Sequence, residues 1–361
     1  MAYTTIDNPE LYFQTKLYTG NATDDTAITL DGSENMQPDW IWTKERSQTG
    51  NHNLFDSVRG VSKRLRTETT DAEATLDPVN QIKSFDSDGF TLGTNNGSNE
   101  NSVTFVAWCW KAGTSFSNDA SATSVGTIDS SGSANDTAGF SIVSYTGTGS
   151  AGTIKHGLST APNWIIFKNR ETDGQNWIVY HSATSSTPQD DFLKLNATSA
   201  VGSSTSYGNN TAPTTSVFSV GANDNTNKSS EGQIAYCFAE KQGYSKFGSY
   251  TGNGNADGTF VYTGFRVSWL MIKRSSGADR WVISDNKRDP HNIVGSTLSP
   301  NENTAEYTTG NYPQDWCDFL STGFKLRRTG NVYNTSGETY IYMAFAESPL
   351  VNSNGVPTNA R

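Results

Sequence analysis

The sequence has few charges, no basic run and no long apolar run. Charged residues make up only 17% of the 361 residues, and the net charge is −10. Without a row of Lys or Arg the chain has nothing to neutralise successive phosphates, which argues against nucleic acid and anionic membranes as partners. No segment is apolar for long enough to span a bilayer, and residues 1–10 lack the basic and apolar regions of a signal peptide. We therefore expect neither a membrane protein nor a secreted precursor.

Metal-binding and catalytic motifs are also missing. The three cysteines form no C-x-x-C pair, and no histidine stands at ligand spacing from them, so neither a zinc site nor a disulfide framework is expected. There is no G-x-S-x-G nucleophile motif, and no pair of carboxylates shares a strand as a glycosidase would need. The only local acid cluster is Glu68, Asp71 and Glu73. We expect no cofactor and no enzymatic activity.

What the sequence does contain is an internal repeat. The tripeptide Tyr-Thr-Gly begins at Tyr18, Tyr145 and Tyr250. Each copy is followed, in one order, by a Trp-led apolar strand ending in Lys, a second aromatic strand, a turn-bearing segment and a closing strand. The closing strands read TFVAWCWKAG, QIAYCFAEKQG and TYIYMAFAES. Landmarks that recur in one order indicate three copies of one structural unit.

The apolar residues of these segments alternate with a period of two, as in pleated strands, and Gly/Asn-rich turns separate them. This pattern predicts an all-β protein with three tandem β-sandwich repeats. The alternative is a single pseudo-threefold β body whose repeats share one core. The predicted parts are an N-terminal arm (1–14), repeat 1 (15–113), a Ser/Thr/Gly-rich linker (114–138), repeat 2 (139–243), repeat 3 (244–350) and a C-terminal tail (351–361).

Equivalent positions of the repeats predict the core. The aromatic members of this set are Tyr18, Trp40, Trp110, Tyr145, Trp164, Phe238, Tyr250, Trp269 and Phe345. Cys109 and Cys237 occupy one equivalent position and are expected to be buried, unpaired thiols. The recurring Lys44, Lys168 and Lys273 follow an apolar strand in every repeat, which favours a structural role.

A few residues depart from the repeat and are candidates for binding. Trp42 and Trp108 have no Trp equivalent in the other repeats, and Trp316 lies outside the landmarks, so these three are candidate platforms for stacking sugar rings. Asp86 and Asp88 in SFDSDGF have the alternating oxygen ligands of a calcium loop. The other repeats lack them, however, so a hairpin turn is the favoured interpretation.

Several stretches resemble a known family. SFDSDGFTLG, TFVAWCWKAG, GFSIVSYTGTGSAGTIKHGLSTAPNWIIFKNR and YFQTKLYTGN resemble the tandem-repeat virion structural and tail-fibre proteins of marine tailed bacteriophages. The likeness extends from Tyr12 to Glu347. It implies a jelly roll like that of concanavalin A-type lectins and glucanases, but supplies no catalytic residues to carry over.

The resemblance implies a virion protein on the tail or capsid surface, made in the host cytoplasm. We expect a tail-fibre or receptor-binding component that attaches to host surface glycans. The alternatives are a capsid decoration or head-fibre protein and a glycan-degrading enzyme. The expected partners are other virion proteins, host glycan and further copies of the chain in a trimer or ring. Leu11, Tyr12 and Phe13, in the arm, are the candidate virion-docking residues.

Overall fold

Strands form most of the ordered structure, as the alternating pattern predicts. The computed structural model describes residues 2–77, 81–308 and 315–358. Within these residues the helices are only three or four residues long. The predicted all-β fold class is confirmed. No helix in the described part is both long and apolar enough to cross a membrane.

Repeat 1 consists of two facing sheets and a small ribbon. Its elements are a 3-10 turn (Pro9–Leu11), β1 (Phe13–Thr19), β2 (Thr26–Thr29), β3 (Trp40–Glu45), β4 (Asn53–Asp56), β5 (Lys63–Arg64), β6 (Ala74–Thr75), β7 (Ile82–Asp86), β8 (Gly89–Leu92), α1 (Asn96–Asn99) and β9 (Thr104–Trp110). The main sheet has the order β1-β9-β3-β4, the second sheet β2-β8-β7, and β5 pairs with β6.

Repeat 2, with the segment that precedes it, has an eight-stranded sheet and a two-stranded one. Its elements are β10 (Thr114–Asn118), α2 (Ala120–Thr123), β11 (Ser130–Asn135), β12 (Phe140–Thr146), β13 (Gly152–Lys155), β14 (Trp164–Asn169), β15 (Ile178–His181), a 3-10 turn (Pro188–Asp190), β16 (Asp191–Lys194), β17 (Gly202–Ser203), α3 (Thr205–Gly208), β18 (Val217–Val220), α4 (Asp224–Asn227) and β19 (Gly232–Phe238). The large sheet runs β10-β11-β12-β19-β14-β15-β16-β17, and β13 pairs with β18.

Repeat 3 again has two sheets. Its elements are β20 (Ser245–Thr251), β21 (Phe260–Tyr262), β22 (Phe265–Arg274), β23 (Val282–Asp285), β24 (Cys317–Leu320), β25 (Gly323–Leu326) and β26 (Thr339–Pro349). The main sheet runs β20-β26-β22-β23 and the second β21-β25-β24.

The three main sheets share one strand order, and their registers coincide. β1-β9-β3-β4, β12-β19-β14-β15 and β20-β26-β22-β23 are antiparallel throughout. The landmark tryptophans pair with aromatic residues at one register position: Trp40 with Trp110, Trp164 with Phe238, and Trp269 with Phe345.

Both faces of each main sheet are buried, in different cores. In repeat 1, Trp40 belongs to a central cluster that also contains Trp164 and Trp269. Its strand neighbour Ile41 points the other way, into a cluster confined to repeat 1, because successive side chains alternate between faces. Repeats 2 and 3 have local clusters of their own. Each repeat is therefore sandwich-like, but the three also share one central core, as in the alternative interpretation.

Residues 114–138 are not a linker. β10 and β11 pair with each other, and β11 continues the ladder onto β12, so the segment extends the sheet of repeat 2. Ser, Thr and Gly are tolerated there because these strands lie at the sheet's edge and carry few core side chains. Ile128, which is buried, anchors the segment in the repeat 2 core.

The N-terminal arm is packed against the body. Ile6 and Phe13 are buried in the central core. Thr4 Oγ1 donates to the Gln242 carbonyl at 2.7 Å, and the Asp7 carboxylate accepts a 2.6 Å hydrogen bond from the backbone N–H of Ser353 in the C-terminal tail. The two ends of the chain therefore meet, and the Tyr3 hydroxyl, which donates to the Gly264 carbonyl at 2.5 Å, ties the arm to repeat 3.

Candidate functional site

All three tryptophans predicted to bind sugar are buried. The Trp42 indole N–H donates to His52 Nδ1 and that of Trp108 to Asp285 Oδ2, each at 2.9 Å. The Trp316 indole N–H donates to Ser284 Oγ at 3.2 Å. All nine tryptophans are less than 2% exposed. The prediction of sugar platforms at these residues is wrong, because Trp42 and Trp108 lie in the central core and Trp316 lies in the local core of repeat 3.

The proposed docking residues differ in exposure. Phe13 is 3% exposed and stacks on Phe345 with ring centroids 5.2 Å apart. Leu11 and Tyr12 are half-buried, and Tyr12 contacts the ring of Tyr244 edge-on. A buried Phe13 cannot reach another virion protein, so its docking role is withdrawn.

Asp86 and Asp88 lie at a tight hairpin between β7 and β8, where Asp86 pairs with Gly89. Asp86 Oδ2 accepts a hydrogen bond from the Thr91 hydroxyl at 2.7 Å. Within the described ranges no three His, Cys, Asp or Glu residues are grouped so as to hold a metal ion. The hairpin turn accounts for the sequence pattern.

The acid cluster is split between two environments. Glu73 bridges two arginines, with Arg59 Nη1 at 3.0 Å and Arg170 Nη2 at 2.9 Å, and these cations hold its pKa below the ordinary value although burial opposes them. Glu68 accepts a hydrogen bond from the backbone N–H of His52, and burial raises its pKa to about 7. The two carboxylates have different partners, and Glu73 has an evident structural role.

The Tyr-Thr-Gly tripeptide is one half of a structural clamp. The hydroxyls of Tyr18, Tyr145 and Tyr250 donate to the carbonyls of Ser98, Thr226 and Tyr333. A Cβ on the glycine would lie 2.2 Å from a carbonyl oxygen in all three repeats, so no side chain fits there. Tyr ties the first strand to the turn before the closing strand, and Gly allows that turn to approach.

The other half of the clamp is an asparagine that sequence reasoning missed. Asn99, Asn227 and Asn334 are fully buried. Each accepts at Oδ1 a hydrogen bond of 2.8 or 2.9 Å from the residue after the glycine. Each amide nitrogen donates to backbone carbonyls. The signal was available, because each Asn stands five residues before its closing strand.

Three equivalent hydrogen bonds close the repeats into a ring. Trp177 Nε1 donates to the Arg66 carbonyl at 2.7 Å, and Trp281 Nε1 donates to the Lys194 carbonyl at 3.0 Å. His52, at the same position in repeat 1, lies 3.0 Å from the Ser299 carbonyl. Repeat 2 thus contacts repeat 1, repeat 3 contacts repeat 2, and repeat 1 contacts repeat 3.

Two of the three seams also carry a buried chain of charges. Asp56, Arg59, Glu73 and Arg170 link repeats 1 and 2. The equivalent chain between repeats 3 and 1 is Asp285, Arg288, Glu306 and Arg46. At the third seam His181 takes the place of the aspartate and lies 3.2 Å from the Tyr342 carbonyl. Burial lowers the pKa of His181 to about 4, so the residue at this position is neutral at pH 7.

The recurring lysines are buried, as a structural role requires. Lys44, Lys168 and Lys273 are fully buried, and burial lowers the pKa of each to about 8. Their ammonium groups donate to backbone carbonyls; Lys168 reaches the carbonyls of Gln175 and Thr70 at 2.6 and 3.1 Å. Lys168 therefore ties repeat 2 to repeat 1.

A polar cleft of about 320 Å³ lies between β1, at the end of the arm, and repeat 3. In repeats 1 and 2 the residue before the landmark tryptophan binds the backbone that follows the closing strand. Asp39 accepts a hydrogen bond from the N–H of Ala112, and Asn163 accepts one from the N–H of Glu240. Ser268 occupies this position in repeat 3, lines the cleft and donates to the Phe345 carbonyl at 3.3 Å. The cleft is a candidate site for a small polar molecule.

The charges that line this cleft are largely paired with each other. Arg266 Nε lies 2.8 Å from Glu347 Oε2, which also accepts from the Asn286 amide at 3.0 Å. Lys287 and His291 are exposed at its edge. The cleft therefore offers charged groups of both signs. Its paired Arg266 and Glu347 contribute no net charge.

Comparison with known proteins identifies one family. No curated protein and no solved structure matches the chain. The family described as "Domain of unknown function (DUF7483)" matches residues 8–349, which include all three main sheets and the central core apart from Ile6. The chain therefore belongs to the DUF7483 family.

Proposed function

We propose that the chain is a non-catalytic structural protein of a tailed-phage virion, displayed on the particle surface, where it attaches to host glycans. The resemblance of its repeats to marine phage virion proteins supports the virion assignment. The observation from the fold that carries the proposal is the closed ring: His52, Trp177 and Trp281 join three sheets around one core. Such a body suits a part that bears load on a particle.

The ring also bears on assembly. A virion appendage commonly follows a rotational symmetry, and we expected a trimer or ring of chains for that reason. Here one chain already arranges three equivalent sheets around a core. A chain of this form can cap a threefold structure as a single copy, or can associate further through surfaces outside the ring.

Glycan binding, in this proposal, does not use tryptophan. With all nine indoles buried, recognition depends on polar and charged surface groups, with tyrosine as the available aromatic. The arm contacts the C-terminal tail through Asp7 and repeat 3 through Tyr3, so the chain ends and repeat 3 lie on one side of the body. This side holds the polar cleft described above.

Capsid decoration is the second candidate, favoured by the same burial of tryptophan. A protein that only reinforces a shell needs no ligand platform, and a rigid ring serves that role equally well. Antibody labelling of purified virions separates the two candidates. Label on the tail supports attachment, label in a lattice on the head supports decoration, and unlabelled particles contradict both.

The attachment role has its own test. Purified protein carrying a fluorescent label is incubated with host cells and with host cells stripped of surface polysaccharide. The proposal predicts binding that is lost on stripping. Equal binding to stripped cells, or no binding to intact cells, contradicts attachment to glycans while leaving a structural role in the virion intact.

A further inference from the structure

A second pocket, on repeat 3, brings together two arginines that form no ion pair in the described part of the chain, although the Glu302 carboxylate, hydrogen-bonded to Tyr307 at 3.1 Å, also acts on Arg280. It has a volume of about 350 Å³ and is lined by Arg280, Arg328, Tyr307, Tyr333 and the loop 329–332. Among the described residues no carboxylate lies within 4 Å of either guanidinium, whereas neighbouring Arg327 is paired with Asp318. In a chain of net charge −10, two such cations in one pocket invite an anionic ligand.

The pocket walls are aromatic and fixed in place. The Arg280 guanidinium lies over the Tyr307 ring, 4.4 Å from its centroid. Arg280 Nη2 lies 3.4 Å from the Tyr333 hydroxyl, and the Tyr333 ring is stacked on buried Trp316 with centroids 4.8 Å apart. Arg280 Nε is buried and has no hydrogen-bond partner in the described part of the chain. The guanidinium is held by stacking, with one buried donor left unused.

The repeat 3 clamp positions the pocket loop. Tyr250 holds the Tyr333 carbonyl at 2.7 Å, and Asn334 Nδ2 donates to Asn253 Oδ1 at 2.9 Å. Within the loop, the backbone N–H groups of Tyr333 and Asn334 both donate to the Gly330 carbonyl. The loop is therefore preorganised, which reduces the entropy cost of binding a ligand.

The chemistry of the pocket is specific to repeat 3. Two residues before each second strand the chain has Arg280 here, but Asn51 in repeat 1 and Asn176 in repeat 2. The residue whose carbonyl accepts from the clamp tyrosine is Tyr333 here, but Ser98 or Thr226 in the other repeats. Repeats 1 and 2 form the same clamp without these residues, so the fold does not require them.

We propose that this pocket binds an acidic saccharide, a sugar ring that carries a carboxylate or a sulfate. The guanidinium fork matches the oxygens of either group bidentately, and Arg328 adds a second cation at the mouth. Of the two tyrosines, Tyr333 is buried, so the half-buried Tyr307 ring is the one that can offer apolar surface to the C–H groups of the sugar. A volume of about 350 Å³ lies in the range of small-molecule sites. The inference deepens the proposed attachment role, on which it rests for the source of the sugar.

The test is calorimetric titration of the full chain at low ionic strength with four probes: glucuronic acid, glucose 6-sulfate, glucose and sodium sulfate. We expect the two acidic sugars to bind, each more tightly than glucose, and glucose 6-sulfate to bind more tightly than inorganic sulfate. The stronger of the two acidic sugars identifies the anion. Equal affinity for glucose, or equal affinity for free sulfate, overturns the proposal, and so does no binding of either acidic sugar.

Two variants and one control localise the site. Arg328→Gln changes a half-buried loop side chain and should weaken binding of the acidic sugar about tenfold, the worth of one charged hydrogen bond. Arg280→Lys keeps the charge but removes the fork and should weaken it at least as much; its unfolding transition checks the fold. Arg327→Gln, which does not line the pocket, should bind within about twofold of the wild type. Unchanged affinity in Arg328→Gln contradicts the assignment.

Failure of this inference is distinguishable from failure of the proposed function. The titrations use purified protein, whereas antibody labelling examines virions. Binding of an acidic sugar by a chain that is not found on the particle would refute the virion role and keep the site. A labelled particle whose protein binds no acidic sugar would do the reverse.

Discussion

The indole N–H of Trp177 donates a 2.7 Å hydrogen bond to the carbonyl of Arg66, and thereby joins the second sheet of the chain to the first. Trp281 repeats the contact one sheet further on, with the carbonyl of Lys194. His52 closes the circle onto Ser299. Because of these contacts the three repeats form one closed body and not three separate tandem domains.

Replacing Trp177 with Phe should destabilise the protein beyond the effect of lost volume. The Arg66 carbonyl would lose a buried donor, which costs about 1–3 kcal/mol. Trp164→Phe is the matched control: both indoles are fully buried, but the Trp164 N–H has no partner in the described residues. Denaturant unfolding of both variants gives the comparison. If Trp164→Phe lowers the free energy of unfolding as much as Trp177→Phe does, the hydrogen bond from Trp177 to repeat 1 does not stabilise the ring.

Breaking the charge chain at Glu73 should be costly. Glu73→Gln leaves Arg59 and Arg170 without their shared carboxylate, and loss of one partner from a buried ion pair costs about 3–5 kcal/mol. Glu347→Gln, which removes a carboxylate 37% exposed, should cost less than about 1 kcal/mol. Chemical denaturation at pH 7 measures both. Equal losses in the free energy of unfolding would show that burial of the Glu73 ion pairs adds nothing to stability.

The same carboxylates predict the acid limb of stability. The pKa values of Glu73 and Glu306 are held below the ordinary value by Arg170 and Arg59, and by Arg288 and Arg46. Their contribution is therefore present above the ordinary Glu pKa and is lost as the pH falls through the lowered values. In Glu73→Gln the loss of stability below pH 5 should be shallower than in the wild type. An identical acid limb would exclude Glu73 as a source.

The buried lysines predict how stability changes with pH on the alkaline side. The pKa of Lys168 is about 8 in the folded protein, below its ordinary value, so the unfolded chain binds more protons above pH 8 and stability rises with pH. The gain between pH 7 and 9 is about 1 kcal/mol for one such lysine. Lys168→Met should remove that part of the rise, whereas Lys246→Met, at a half-exposed ion pair, should not. A wild-type stability that is flat from pH 7 to 9 would contradict charged burial.

Tryptophan fluorescence tests whether all the indoles are buried. With nine indoles less than 2% exposed, the emission should be that of buried indole and should resist quenching by iodide. Unfolding in denaturant should restore full quenching and serves as the control. A quenchable fraction in the native protein would show that at least one indole faces solvent.

The repeat and the strands could be predicted from the sequence because they depend on local patterns. Alternation in TFVAWCWK places Trp108 and Trp110 on one face, and the structure has them there. The core positions predicted from the repeat are buried, except Tyr18, which is half-buried against the repeat 1 core. Local pattern fixes the faces of a strand.

What covers each face depends on distant segments and could not be predicted in this way. Trp40 and Ile41 are both apolar, and nothing in the strand says that the first meets other repeats while the second stays within its own. The composition of residues 114–138 predicts a linker although they form strands, because an edge strand such as β10 needs few apolar residues. The pocket of Arg280 and Arg328 is formed by residues far apart in sequence, so no local sequence motif predicts it.

Cryo-electron microscopy of purified virions of a phage that encodes this chain tests the central claim most directly. The account predicts density on the particle surface for a single body with three four-stranded sheets around one tryptophan-rich core, and with repeat 3 accessible from outside. Virions without this density, or density for three separated sandwiches, would contradict the account.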